Sequence, residues 1–260
     1  ILFDIGETKF IDYDNGYDIQ FTRHKRIKIF KKSAFEYAEV SIPYYVDGIG
    51  EAEEIKSIEA NTYNYENGKL IKQRLDPSTI YEEKITQKWR NKKFVFPNLQ
   101  EGSILEFKYV LQSPFHFNLP DWEFQDKIPT IYSEYEVRMI PFYEYVYRVQ
   151  GTSRFDYKQS AVAAEKRDLG GASNTYGQNI DRGTRFQDYV HTYVLKDVPA
   201  FKDESYITSI NDYIIKINFQ LAKFNSPKGG SREIISTWPK LTEALIRNEN
   251  FGRYQKSCAG

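Results

Sequence analysis

Few residues of this chain have the types and spacing that catalysis or metal binding requires. The sequence contains one cysteine, Cys258, and three histidines, His24, His116 and His191, each isolated from the others. No histidine lies two, three or four residues from a second metal ligand, and an activated thiol needs a base within hydrogen-bond reach. Cys258 follows a predicted helix near the end of the sequence, with no histidine or aspartate after it. We therefore predict structural roles for the histidines, no catalytic residue and no cofactor.

A cluster of carboxylates near the start of the sequence is a weak candidate for a calcium site. Asp12, Asp14 and Asp18 offer the oxygen ligands that Ca²⁺ prefers. The spacing departs from the EF-hand loop, because Gly16 falls at position five and Arg23 stands where the bidentate glutamate belongs. An Asn-Gly pair between two strands is also the strongest short signal for a hairpin turn. We favour the turn over the calcium site.

Aromatic side chains form the best candidate for a binding surface. Tyr143, Tyr145 and Tyr147 alternate along one predicted strand and so share a face, and Trp122 is a further candidate. Such rings can stack on sugars or line a peptide groove, and they can equally pack in a core. Core packing is the favoured alternative for the aromatic residues in general.

The composition indicates a soluble-type, β-rich globular domain. The 260 residues are 40% hydrophobic and 16% aromatic, with 21 Tyr and 18 Phe, which favour half-buried pleated surfaces. The 36 basic and 36 acidic residues cancel, so no net charge favours nucleic acid or an anionic membrane. The sequence has no run of about 18 apolar residues, so it predicts no membrane-spanning helix.

Two stretches carry the prediction of a central sheet. Phe94–Pro114 has two apolar runs separated by turn residues, and the second alternates strictly from Ile104 to Leu111, so we predict a central β-hairpin. Arg23–Lys32 is densely basic, but alternation places its charges on both faces of a strand. We interpret it as a solvated strand or a sheet edge protected by charge.

The remaining pattern predicts an all-β, antiparallel β-sandwich of immunoglobulin-like size or larger, with a C-terminal helix. Short strands with turn signals between them are typical of sandwiches. We place the sandwich domain at residues 1–226 and a linker with a helix at residues 227–260. The helix is predicted from a possible N-cap at Thr237 and a period-3.6 apolar stripe beyond it.

Several blocks, in this order, resemble a known but uncharacterised family. They are Arg26–Phe30, Ala60–Asn64, Phe96–Ser103 with Leu105-Glu106, Asp121–Gln125 and Val198–Ala200. Together they are similar to the β-domain that precedes transglutaminase-like, cysteine protease-like domains in bacterial envelope proteins, mainly of the Bacteroidetes.

The resemblance implies a β-sandwich in an exported protein, periplasmic or attached to the cell surface or outer membrane, whose signal peptide lay upstream. It also implies a following transglutaminase-like domain carrying the Cys-His-Asp triad, and no triad residue maps onto this chain. We expect a non-catalytic binding domain that recognises a protein partner or presents substrate to its neighbour. The alternatives are a part of a cysteine peptidase or transglutaminase, or a glycan-binding sandwich.

Overall fold

A computed structural model describes residues 1–13, 16–48, 50–168, 185–202, 209–226, 229–234, 242–243 and 245–246. Within this part of the chain the architecture is almost entirely β, which confirms the predicted fold class. The strands are β1 Phe3–Tyr13, β2 Gly16–Lys28, β3 Glu39–Tyr45, β4 Glu54–Glu66, β5 Lys69–Arg74, β6 Tyr81–Lys84, β7 Trp89–Val95, β8 Ile104–Ser113, β9 Asn118–Glu123, β10 Thr130–Met139, β11 Tyr143–Gln150, β12 Tyr157–Asp168, β13 Arg185–Val198, β14 Lys216–Asn225 and β15 Ser231–Glu233. Short 3₁₀ segments at Lys32–Ala38, Pro77–Thr79 and Ile210–Asp212 interrupt them.

Eight strands form one large sheet in the order β12-β13-β10-β1-β2-β8-β4-β5. All neighbours in it are antiparallel except β1 and β10, which run parallel. Fifteen strands exceed the seven to nine of an immunoglobulin domain, so the larger of the two predicted sizes applies.

Two smaller sheets pack on the same face of the large sheet. A four-stranded sheet joins β9, β11, β14 and β15, and a three-stranded sheet has the order β3-β7-β6. Trp122 of β9 stacks on Tyr135 of β10 with ring centroids 5.2 Å apart, and Phe94 of β7 meets Phe107 of β8 at 6.2 Å. The molecule is therefore sandwich-like, with one broad layer and two separate covering layers.

The predicted central hairpin is wrong in its pairing. The alternation of β8 is confirmed, since Leu105, Phe107 and Leu111 are buried and β8 lies between β2 and β4. However, β7 does not pair with β8 but with β3 and β6 in the three-stranded sheet. The residues between β7 and β8 thus carry the chain from one layer to another. Phe94 packs against Phe107 across the two layers, so the apolar side chains of both runs are buried, as they would have been in a hairpin.

The basic run is also placed differently from its prediction. Strand β2 lies inside the large sheet between β1 and β8, so it is not an edge. Strand β9, Asn118–Glu123, lies at the side of β14 in the four-stranded sheet. Asn67 and Gly68 form the two-residue turn between β4 and β5, and both have the positive φ that such a turn requires, 48° and 78°.

The predicted C-terminal helix falls almost wholly outside the described residues. Positions 242–243 and 245–246 are helical, whereas Thr237 and Cys258 are not described. Strand β15 follows directly on Gly230 and pairs with β14. The division into domains at residue 226 stays a prediction.

Candidate functional site

A cleft opens on the inner face of the large sheet where the three-stranded sheet covers it incompletely. Its cavity volume is about 350 Å³, within the range of roughly 300–1,000 Å³ typical of small-molecule sites. The floor comes from β2 and β8, and one wall from the 3₁₀ segment Lys32–Ala38 and the start of β3. Its lining residues are Lys25, Ile27, Glu36, Tyr37, Glu39, Val40, Ser41, Phe107 and Lys127.

The cleft combines an apolar floor with charged groups of both signs. Ile27, Val40 and Phe107 are buried, with 4–8% of their surface exposed. Lys127 and Glu36 are both exposed and line the cavity. An apolar floor with a few polar groups around it is the usual composition of a binding pocket.

An ion-pair cluster adjoins the cleft through Lys25, which lines the cavity. Arg23 binds the carboxylate of Asp4 through two hydrogen bonds, of 2.9 and 2.7 Å. Lys25 Nζ bridges Asp4 Oδ2 at 3.2 Å and Asp126 Oδ2 at 2.8 Å. Burial alone would raise the pKa of Asp4, but the charges and hydrogen bonds of Arg23 and Lys25 outweigh it and hold the pKa below its ordinary value.

The register of the large sheet explains why these charges meet. Asp4 stands opposite Lys25, and Gly6 opposite Arg23, in the antiparallel β1–β2 pair. All these positions share the inner face with Phe21. Two cations on an apolar face require carboxylate partners there. The sequence contained this signal, but only the pairing identifies Asp4 and Asp126 as the partners.

Tyr37 lies within electrostatic range of two acidic side chains, Asp126 and Glu36. It lies half-buried on the 3₁₀ segment, and burial raises the pKa of its hydroxyl, with the charges of Asp126 and Glu36 adding to the effect. The hydroxyl therefore stays a neutral hydrogen-bond donor and acceptor at physiological pH. Sequence patterning did not single out Tyr37 or Lys127, because neither belongs to a regular strand.

Trp122, expected as a binding residue, lies in the core instead. It is 1% exposed and packs between Tyr135 and Gly6, where a Cβ would come within 2.4 Å of the indole ring. Its Nε1 donates a hydrogen bond of 3.2 Å to Ser133 Oγ, and Arg23 lies 5.0 Å from its ring centroid. Trp122 therefore has no accessible face for a ligand, and that assignment is corrected.

The three alternating tyrosines of β11 differ in burial; we call them the tyrosine ladder, Tyr143, Tyr145 and Tyr147. Tyr143 stacks on Phe10 at 5.3 Å, and the Tyr145 hydroxyl donates to the His116 carbonyl at 2.6 Å. Both side chains are half-buried between the large and four-stranded sheets, and burial raises the pKa of each phenol. Tyr147 is 47% exposed and accepts a hydrogen bond from Lys158 Nζ at 3.0 Å. A binding role at Tyr147 stays a prediction.

The weak calcium candidate is only partly described. The Asp12 carboxylate pairs with Arg167 at 2.9 Å, and Asp18 accepts a hydrogen bond from Gln112 at 2.5 Å. Asp14 lies outside the described residues. Among the residues that are described, no group of three His, Cys, Asp or Glu side chains is placed to hold a metal ion.

The histidines all have local partners. His24 Nε2 lies 2.8 Å from Glu106 Oε1 on the outer face, and His116 contacts the Tyr17 carbonyl. His191 Nδ1 lies 2.8 Å from Ser160 Oγ on the neighbouring strand. Burial lowers the pKa values of His116 and His191, which keeps both rings neutral.

The fold and the cleft define a β-sandwich-like domain with an open cavity at one side of its core. Residues 17–169 match the family described as a domain of unknown function with a solved structure, DUF3857, and the chain belongs to this family. The matched range begins within β2 and ends just after β12, so β1, β13, β14 and β15 complete the sheets around it. No curated protein matches the sequence.

One solved structure shares the fold over most of the chain. It is named as a putative protease from Parabacteroides distasonis ATCC 8503, with a TM-score of 0.55 and 12% identity. The match covers 83% of this chain and 39% of that protein, so the chain spans about two fifths of its neighbour's length. At this identity the likeness concerns the fold alone. Across the described residues, no helix has the length and apolar character needed to cross a bilayer.

Proposed function

We propose that this chain is a non-catalytic binding domain that holds a segment of a protein partner or substrate in the cleft beside β3. The observation that carries the proposal is the cleft itself, an open cavity with an apolar floor formed by Ile27, Val40 and Phe107. Its rim offers Lys127 and Glu36, which suit the mixed charges of a polypeptide.

We further propose that the domain works inside an exported envelope protein, next to a transglutaminase-like domain to which it presents substrate. The family resemblance of the sequence blocks supports this, and so does the greater length of the structural neighbour. The sequence downstream of Gly260 tests the arrangement. A cysteine followed at a distance by histidine and aspartate supports it, and a different domain there contradicts it.

The binding role is tested with a pool of random linear peptides selected on the immobilised chain. Peptides enriched on the wild type should lose about tenfold in affinity with Lys127→Glu, since the reversed charge removes an attractive group and adds a repulsive one. Lys69→Glu makes the same charge change on β5, at the far edge of the large sheet, and should leave binding unchanged. Failure to enrich any peptide, or equal losses for both variants, would contradict the proposal.

A further inference from the structure

The wall of the cleft formed by β3 is an unpaired strand edge. Strand β3 is the terminal strand of its sheet and pairs with β7 alone. The Ala38 carbonyl accepts from Phe96 N–H at 2.9 Å, and Val46 N–H donates to the Lys88 carbonyl at 2.9 Å. Since backbone direction alternates along a strand, even-numbered residues of β3 direct their backbone groups at β7. Odd-numbered residues direct theirs away from it.

This free edge faces the cavity. Glu39 and Ser41, two of the outward-directed residues, line it directly. The Glu39 N–H is already bonded to the Glu36 carbonyl, and Pro43 has no N–H. Ser41 therefore supplies the one outward N–H between Glu39 and Pro43, while all three residues have outward carbonyls.

The chain already uses the adjoining part of this edge for strand pairing. Glu53 N–H donates to the Tyr45 carbonyl at 2.8 Å, and Glu53 Oε2 accepts from Tyr45 N–H at 2.8 Å. Val46 and Ala52 form an isolated antiparallel bridge there. The pairing stops at Tyr45, which leaves the part of the edge beside the cavity unoccupied by the described residues.

We propose that an extended peptide adds to β3 as an extra strand, filling the cleft between Glu39 and Pro43. This inference rests on the proposed binding function and specifies its mode. At a rise of about 3.3 Å per residue, a segment of about five residues covers this edge. Backbone bonds to Ser41 supply the pairing, and alternate side chains point into the cleft, as in other cases of strand addition.

The lining specifies the side chains that fit. Residues directed inward meet Ile27, Val40 and Phe107, so they are apolar. Lys127 also lines the cavity, and the described residues offer no ion pair to its ammonium group, so a carboxylate in the peptide complements its charge. The peptide class is therefore an extended segment that combines alternating apolar residues with a carboxylate.

Ser41→Pro tests the mode of binding with little change to the fold. The substitution removes the outward N–H and leaves the bonds from Val40 and Ile42 to β7 in place, as Pro43 already does on the same edge. Peptides selected on the wild type should bind Ser41→Pro about tenfold or more weakly, because a backbone bond is lost and the ring obstructs pairing. The matched control Ser41→Val keeps the N–H and should bind as the wild type does.

Backbone N-methylation of the selected peptide provides a measurement that needs no protein variant. Methylation at alternate residues should abolish binding, and methylation at the residues between them should be tolerated. If Lys127→Glu weakens binding but neither Ser41→Pro nor N-methylation does, strand addition is wrong and the binding function stands. If no peptide is enriched, both proposals are wrong.

Discussion

The two small sheets cover the same face of the large sheet and leave different interiors beneath them. Under the four-stranded sheet, Trp122, Tyr135 and Phe219 are exposed by 2% or less and pack ring against ring. Under the three-stranded sheet, the apolar floor continues but a cavity remains and charged groups line it. The first half is therefore packed core, and the second half holds the cleft on which the proposed binding function depends.

The largest loss of stability is expected when a large side chain is removed from the well-packed half beneath the four-stranded sheet. Trp122→Ala removes a fully buried indole whose neighbours on both sides cannot close the gap, so the free energy of unfolding should fall by about 3–5 kcal/mol. Urea denaturation monitored by circular dichroism measures this. Trp89→Ala is the control: Trp89 is 45% exposed on β7, and its loss should cost about 1 kcal/mol or less. Similar losses for the two variants would show that the halves do not differ as described.

A smaller effect is expected at the boundary between the halves. Asp4→Asn leaves Arg23 and Lys25 without their shared carboxylate, and should lower the free energy of unfolding by about 2 kcal/mol. Asp168→Asn, which breaks an exposed pair with Arg185, should cost about 0.5 kcal/mol or less. Chemical denaturation at neutral pH compares them.

The stabilisation by Asp4 should also depend on pH. Its pKa is lowered in the folded state from the ordinary 3.8, so its contribution is present above that pH and is lost as pH falls through the folded-state value. The difference in stability between wild type and Asp4→Asn should therefore be constant from neutral pH to about pH 5 and shrink below pH 4. A difference that persists unchanged at pH 2 would show that the Asp4 charge is not its source.

The smallest effect is expected at the exposed end of the tyrosine ladder. Tyr147→Ala should lower the free energy of unfolding by about 1 kcal/mol or less, whereas Tyr143→Ala should cost about 3 kcal/mol because it removes the ring stacked on Phe10. Thermal unfolding of the two variants separates them. If Tyr147→Ala abolished binding to a polysaccharide panel, the glycan alternative would replace the peptide proposal.

The local residue pattern predicted the strands well, but it did not predict which strands pair with each other. The alternation of Ile104–Leu111 defines β8 and its buried face, because period two is a property of neighbouring residues. The same pattern is compatible with β7 pairing to β8 or crossing to another layer, and only long-range packing of Phe94 decides between them. Strand β9 has a weak local signal because it contains Pro120, and it gains its order from pairing with β14.

The candidate site depended still more on tertiary structure. Arg23 and Lys25 were recognised as basic, but their position on the inner face follows from β2 lying between β1 and β8. Asp126, about a hundred positions away along the chain, meets Lys25 only in the folded molecule. Of the aromatic residues that the sequence offered as binding candidates, Trp122 lies in the core and Tyr143 and Tyr145 are half-buried, whereas Tyr147 is exposed.

Amide hydrogen exchange along β3, followed by NMR, tests the central claim most directly. In the free chain the Ser41 amide should exchange quickly, while the Val40 and Ile42 amides are protected by their pairing with β7. Addition of a saturating peptide selected on the chain should slow exchange at Ser41 and leave Val40 and Ile42 as they were. A Ser41 amide that exchanges equally fast with and without bound peptide would contradict the account.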